Sequence, residues 1–222
     1  MSLLPARLLL LGAPGSGKGT QTARLLQVFP HIKAVSSGDI LRNEMLNKTP
    51  LGLEAALFMA RGDLVPDSTM VGLIAGRMTD PSFDSSSWLL DGFPRTRTQA
   101  EQLDVVLGSA CGINLVVELD VDLDVILQRI EARWVHAPSG RVYNLDYNPS
   151  KVPFKDDETG EDLIQRPDDT AAVFQKRLDT YNRTLAPLKQ FYEDKGVLVS
   201  VRGNTSDIIF PQLRRLVETR FM

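Results

Sequence analysis

The chain has 222 residues, a formal net charge of -3 and a pI of about 5.5, with 43% hydrophobic and 24% charged residues. That balance suits a globular protein with a full core and argues against nucleic-acid binding, which calls for a clustered basic face. The single cysteine, Cys111, excludes a disulfide framework and a Cys-rich zinc site, and no run approaches the roughly 18 apolar residues of a membrane span.

Arg7–Leu11 is a short apolar run ending at Gly12, a strand followed by a loop. Thr20–Val28 reads as a helix stopped by Pro30, and Ile32–Val35 as a second strand. Asp39–Asn47, Leu51–Arg61 and Thr69–Met78 have helical periodicity between the breakers Pro50, Gly62 and Pro66. Ser87–Leu90 is a strand ending at Asp91-Gly92, and Thr98–Leu107 is a helix. Ile113–Leu119 (INLVVEL) is nearly all apolar, as a fully buried parallel strand would be. Asp122–Arg133 reads as a helix with Asp122 as its cap. Residues 134–167 break this rhythm with four prolines, two glycines and short alternating pieces, a small β-rich insertion. A long helical stretch, Asp168–Lys195, is expected to break near Pro187; Val197–Val201 is a last strand and Ser206–Arg220 a last helix. Strands alternating with helices predict a parallel sheet covered on both faces.

Gly12-Ala13-Pro14-Gly15-Ser16-Gly17-Lys18 matches G-x-x-x-x-G-K between a strand and a helix. The position after the lysine is Gly19 rather than Ser or Thr, and Thr20 follows. Glycines let the backbone N–H groups of such a loop turn inward at phosphate oxygens, and the next helix presents its positive end to them. The loop therefore predicts a nucleoside triphosphate with Mg²⁺, held mainly by phosphates and water. Asp91, at the end of the third strand, is the expected water-mediated partner of the metal.

The loop alone does not separate GTPases, motor ATPases and kinases. A guanine-reading GTPase is expected to carry Asn-Lys-x-Asp, whereas the chain has Asn47-Lys48-Thr49-Pro50. A kinase needs a second substrate site and a means to exclude water. If the acceptor is a phosphate, its oxygen is already anionic and no general base is required; cationic clamping is. Arginine suits that task through its planar fork. Arg42, Arg95, Arg129, Arg133, Arg166 and Arg177 are candidates, and Arg95 stands out because it closes Asp91-Gly92-Phe93-Pro94-Arg95 at a strand's carboxyl end.

GAPGSGKGTQ (12–21), SSGDILR (36–42), LLDGFPRT (89–96), RIEARWVHAPSGRVYN (129–144), DDETGE (156–161) and QRPDDTAAVFQKRL (165–178) together resemble the adenylate kinase family over nearly the whole chain. The resemblance implies an α/β P-loop NTPase fold, with a central parallel five-stranded sheet and helices on both faces. It implies a single kinase unit: a core (1–35, 66–131, 170–222), a nucleoside-monophosphate-binding helical segment (36–65) and a β-rich lid (132–169). It places the donor triphosphate at Gly15, Ser16, Gly17, Lys18, Gly19 and Thr20, with Arg133, Val142 and Tyr143 under the lid and Thr205 near the donor base. It places AMP at Ser37, Arg42, Asp63, Leu64, Val65, Gly92, Phe93, Pro94, Arg95, Gln99, Arg166 and Arg177. Lys18, Arg95, Arg129, Arg133, Arg166 and Arg177 are implied to act on the transferring group, with Asp91 on the metal through water.

Many long-lid members carry four zinc ligands where this chain has His136, Ser139, Asp156 and Thr159. Two neutral hydroxyls make a poor zinc set but a good hydrogen-bond cluster, so a zinc-free lid is expected. SSGD (36–39) and ARWVH (132–136) are similar to members that use GTP as donor in the mitochondrial matrix. Transfer from GTP (or ITP) to AMP by a monomer in the matrix is therefore expected, without nucleic acid or membrane as partner. ATP as donor, a cytoplasmic location, another P-loop small-molecule kinase and a non-catalytic nucleotide-binding protein are the alternatives. The leading MSLLPAR is too short for a signal peptide, and no transit peptide is visible.

Overall fold

In the computed structural model, residues 5–78, 83, 86–166 and 169–222 are described. The chain runs β1 (Arg7–Leu11), α1 (Lys18–Val28), β2 (Lys33–Ser36), α2 (Ser37–Leu46), α3 (Pro50–Arg61), α4 (Asp67–Met78), β3 (Trp88–Asp91), α5 (Arg97–Cys111), β4 (Leu115–Asp120) and α6 (Leu123–Glu131). It continues with β5 (Arg133–Val135), β6 (Val142–Asn144), α7 (Ala171–Asp194), β7 (Leu198–Arg202) and α8 (Ser206–Phe221).

Five strands form one parallel sheet in the order β2-β3-β1-β4-β7. Its period of two sends alternate side chains to opposite faces. Leu8 and Leu10 of β1 join Leu115, Val117 and Leu119 in one buried cluster with residues of α1, α6 and α8. Leu9 and Leu11 join Leu90, Val116 and residues of α4 and α5 in the other. A strand buried on both sides must be apolar throughout, which is why RLLLL and LVVEL read as runs rather than alternations. Glu118, the charged member of β4, is buried against Lys189 Nζ at 2.8 and 3.0 Å and the Ser200 hydroxyl at 2.6 Å.

Most helix starts are set by side-chain caps. Ser36, Thr49, Thr96, Thr170 and Thr205 each accept a bond from a first-turn N–H. These caps move α2 to Ser37, ahead of its apolar periodicity. Asp122 departs from this pattern: it stands at the cap position of α6 but its side chain makes no cap bond, giving its carboxylate to Asn204 instead. α7 also corrects an expectation, since it runs unbroken through Pro187. Proline removes one helix bond. Phe174 and Leu178 bury one end of α7 in the first cluster, and Leu188 and Tyr192 bury the other in the second, so packing holds the helix together. The expected helix start at Asp168 lies outside the described residues. α5 extends to Cys111 across a non-helical Gly108. β4 starts later than the apolar run because the Asn114 side chain bonds Arg7 N–H at 2.8 Å and Pro5 O at 2.9 Å.

Between α6 and α7, β5 and β6 pair antiparallel, with bridges Val135–Ile164 and Lys155–Asp162 extending the insertion. Its turn at Gly140 approaches the sheet's carboxyl edge: a Cβ there would lie 3.8 Å from Asp39 Oδ1 on α2. Among the described residues, no helix is long and apolar enough to cross a membrane.

Two glycines separate packing from propensity. A Cβ at Gly52 would sit 2.1 Å from the Glu44 carbonyl oxygen, whereas one at Gly72, on the exposed face of α4, meets nothing within 4 Å. Gly52→Ala is expected to destabilise the protein by about 2 kcal/mol or more by prising α3 from α2. Gly72→Ala should stabilise it by about 0.5–1 kcal/mol. Urea unfolding midpoints of the two variants should move in opposite directions.

Candidate active site

All five strands of the large sheet end on the same side, where the loop after β1, Ser37 after β2 and the Asp91–Arg95 turn of β3 follow them. The loop after β1 is pressed against α6. Gly15 has φ +82°, and a Cβ on it would fall 2.8–2.9 Å from Ile126 and Ile130, so only glycine fits. Gly17 stands at the α1 cap position in a left-handed conformation, with no side-chain cap and no acidic residue in the first turn. The leading N–H groups and the positive helix end are thus left for an anion. Lys18 Nζ arches back to donate to Gly12 O at 2.7 Å and Ala13 O at 2.9 Å. The Ser16 hydroxyl is buried without a hydrogen-bond partner among the described residues.

Burial lowers the Lys18 pKa to about 8; Asp91 opposes that fall, and Arg95 and Arg133 add to it. Burial likewise raises the Asp91 carboxyl, against the pull of Lys18, Arg95 and Arg42, with Asp39 adding to the rise. Lys18 thus lies within electrostatic reach of Asp91, Arg95 and Arg133, and Asp91 within reach of Arg95, Arg42 and Asp39. A Cβ at Gly19 would be 3.9 Å from Asp91 Oδ2, so the carboxylate lies against the first turn of α1, where Thr20 is exposed.

The turn after β3 is rigidly built. Arg95 Nε donates to Gly92 O at 2.7 Å, and Arg95 N–H to Gln99 Oε1 at 2.7 Å. Gln99 Nε2 and the Thr96 hydroxyl both donate to the Asp67 carboxylate, at 2.8 and 2.9 Å. Gln99 is only 2% exposed and stands behind the turn as its brace. Phe93 is buried in the core and the Phe93–Pro94 peptide is cis, leaving Gly92–Arg95 to offer backbone and the Arg95 side chain. Buried Ser37 donates to Asp91 O at 3.4 Å, and Arg42 pairs with Asp39. Asp63 pairs with Lys176 at 2.7 Å, which ties the 63–65 segment to α7; Leu64 is half-buried and Val65 lies in the core. Arg177 is on the same side, its Cγ 3.5 Å from where a Gly62 Cβ would be.

Beside the phosphate loop, Arg129 donates to Ser16 O at 3.3 Å and Asn204 O at 3.0 Å, and lies over the Tyr147 ring at 5.7 Å. Arg133 forms a two-pronged ion pair with Asp169, Nε to Oδ2 at 2.7 Å. Arg166 leads into the same segment, its carbonyl accepting Asp169 N–H at 3.0 Å. Thr205 caps α8. Val142 is exposed, but Tyr143 is 6% exposed and turned into the lid, where its hydroxyl donates to Asp156 at 2.9 Å. What Tyr143 can offer a ligand is therefore backbone.

Inside the lid, His136 bonds Ser139 at 2.7 Å and Glu161 at 2.6 Å. Asp156 accepts from Arg141 at 2.6 and 2.8 Å and from the Thr159 hydroxyl at 3.0 Å and N–H at 2.9 Å. The Arg141 guanidinium, ahead of these other donors, holds the Asp156 carboxyl far below the usual range. The expected quartet is thus one hydrogen-bonded cluster, with Arg141, Tyr143 and Glu161 as members that spacing alone did not reveal. Sequence reading also missed Asp39, Asp67 and Asp169, the carboxylates that aim Arg42, the Arg95 turn and Arg133. Asp169 lies three residues after Arg166, a local hint; Asp67 pairs across some thirty residues and left none.

The adenylate kinase family model matches residues 10–197. The chain is 55% identical over 222 residues to "GTP:AMP phosphotransferase, mitochondrial" of Saccharomyces cerevisiae, covering 99% of this chain and 95% of that one. It is 40% identical to the Drosophila melanogaster protein of the same name, covering 96% of each. It is 43% identical to "Adenylate kinase" of Moorella thermoacetica, covering 89% and 91%.

The buried Lys18 has a thermodynamic signature. Its folded pKa of about 8 lies below the ordinary lysine value, so between the two the unfolded chain binds the extra proton and stability rises with pH. Relative to Lys18→Met, the wild type should gain up to about 3 kcal/mol in unfolding free energy between about pH 7.5 and 10.5. A difference that stays flat over that interval would mean that the ammonium is not desolvated.

Proposed function

The chain belongs to the adenylate kinase family, and on that premise we propose that it transfers a phosphoryl group reversibly from GTP, or ITP, to AMP. The observation that carries the reading is the Asp91 carboxylate at the end of β3 lying against the first turn of α1, beside Lys18, with Arg95 and Arg133 within electrostatic reach of that lysine. The choice of GTP rests on similarity to the yeast and fly proteins named for it, and a mitochondrial location rests on the same names. We take the enzyme to act as a monomer made of a core (1–35, 66–131, 170–222), an AMP-binding segment (36–65) and a lid (132–169).

The first-turn amides of α1 and Lys18 bind the donor's outer phosphates. Arg42 and Arg95 orient the AMP phosphate, whose anionic oxygen attacks without a general base. Arg129, Arg133, Arg166 and Arg177 neutralise the charge that spreads over the transferring group. The carboxylates paired with Arg42 and Arg133 hold these forks aimed before substrate arrives, which lowers the reorganisation needed at the moment of reaction. The lid turn lies over Asp39 and keeps water from the donor. Asp91 and Thr20 fit a Mg²⁺ ion arriving with the donor: the carboxylate faces the start of α1, and its raised pKa marks a charge short of solvation. That ion would supply charge neutralisation at the phosphates, with Asp91 reaching it through water. The lid needs no zinc in this reading, since its four positions already satisfy one another.

Initial rates with AMP fixed should fall in the order GTP, ITP, ATP; a clear lead for ATP overturns the donor assignment while leaving the transfer reading in place. Arg95→Ala is expected to lower kcat/KM about 100-fold or more, roughly 3 kcal/mol of transition-state stabilisation. Near wild-type turnover would remove Arg95 from the mechanism.

A further inference from the structure

We propose that Asp122 and Asn204 are positioning residues for the donor nucleotide, acting as a reciprocal clamp that fixes Arg129 and the loop before α8. The proposal rests on the assignment of Arg129 and Thr205 to the donor side.

Asp122 occupies the cap position of α6, and its carbonyl accepts Ile126 N–H at 3.1 Å, yet its carboxylate bonds no N–H of the helix. Its carboxylate accepts from Asn204 Nδ2 at 2.6 Å, and its own N–H donates to Asn204 Oδ1 at 3.4 Å. Both ends of the Asn204 amide are thus used on one residue. With its side chain so fixed, Asn204 points its carbonyl at the Arg129 guanidinium, 3.0 Å away and about two turns farther along the same helix. The other guanidinium nitrogen reaches Ser16 O in the phosphate loop. Arg129 therefore spans two backbone carbonyls, one beside the donor phosphates and one beside Thr205.

The loop has little slack to adopt another course. Gly203 N–H bonds Asp120 O at 3.2 Å, and Gln212 Nε2 donates to Arg202 O at 3.0 Å. A Cβ on Gly203 would strike Ile208 Cγ2 at 2.6 Å. Ser206 O accepts from Gln21 Nε2 at 3.3 Å, which links the loop to α1. Asn204 is the point at which this pinned loop meets α6. Asp122 is 50% exposed, so the pair contributes little as an ion site or as core; its consequence is where Arg129 and Thr205 stand.

The test uses the full chain and compares Asp122→Ala, Asn204→Ala, Asp122→Asn and Arg202→Ala. Asp122→Asn keeps an acceptor for Asn204 Nδ2. Arg202 is 76% exposed and touches Asp122 at 3.5 Å from the other side, so its removal controls for general loop damage. The two clamp-breaking variants should raise the donor KM about fivefold or more, the scale of one lost ordinary hydrogen bond, with the AMP KM within about twofold of wild type. Asp122→Asn and Arg202→Ala should stay near wild type for both substrates. A donor KM unchanged in both clamp-breaking variants, or an AMP KM rising in step with it, overturns the proposal. Titration of each variant with a fluorescent GTP analogue gives a second readout. If the wild type makes no ADP, the proposed function fails, and the clamp still stands or falls on whether those dissociation constants weaken as the donor KM was expected to.

Discussion

Five strands hydrogen-bonded in parallel must all end on one side, and the chemistry of this molecule depends on that constraint. β1 delivers the phosphate loop, β2 delivers Ser37 and Arg42, β3 delivers Asp91 and Arg95, β4 leads to α6 with Arg129, and β7 leads to the Asn204–Thr205 loop. Residues a hundred or more positions apart are neighbours because their strands are, as β1 and β4 show. The constraint needs a sheet buried on both faces, which the two apolar clusters supply. Gly15 adds the closest fit: the loop can lie on Ile126 and Ile130 only because no Cβ stands between them. α6 thereby serves both as the floor of the phosphate loop and as the carrier of Arg129.

The centre is strongly cationic, and carboxylates make it tolerable. Asp39 holds Arg42, Asp169 holds Arg133, and Asp91 sits close enough to Lys18 to oppose its loss of a proton. Each of these acids keeps a cation aimed while limiting repulsion among its neighbours. Burial still pulls Lys18 down and pushes Asp91 up, so neither charge is fully compensated by the protein. In the proposed reaction the donor phosphate would relieve the first, and the Mg²⁺ proposed to come with it would relieve the second.

Features written in adjacent residues were legible in the sequence: the glycine loop, the apolar strands, the Asp91–Arg95 turn and the β-rich insertion. Features written between distant residues were not. Asp122 reads as a helix cap, and only the fold shows that Asn204 claims its carboxylate. Gln99 reads as a ligand contact, whereas the structure commits both ends of its amide to Arg95 and Asp67. Tyr143 reads as part of the donor cover, yet its hydroxyl points inward at Asp156. Pro187 reads as a break, but burial at both ends of α7 outweighs one missing bond. For Asp122 and Pro187 a local rule was overridden by tertiary partners that sequence separation hides; for Gln99 and Tyr143 the fold adds side-chain partners that the motif does not show.

The lid shows how polar groups can organise a segment too small for a core of its own. It leaves Leu145, Tyr147, Val152, Phe154 and Ile164 partly in solvent and buries Tyr143, His136 and Asp156 instead. A buried carboxylate is unfavourable unless its oxygens are satisfied. Here Arg141, Tyr143 and Thr159 all donate to Asp156, and the acid stays ionised. Tyr143 and Arg141 reach it from β6 and the residue before it, and Thr159 from Asp156's own turn, so the charge is fully satisfied only when these two segments are folded together. Asp156 thus ties the shape of the lid to a single ionised group, and Arg133 and Arg166, at its two ends, inherit their positions from that shape.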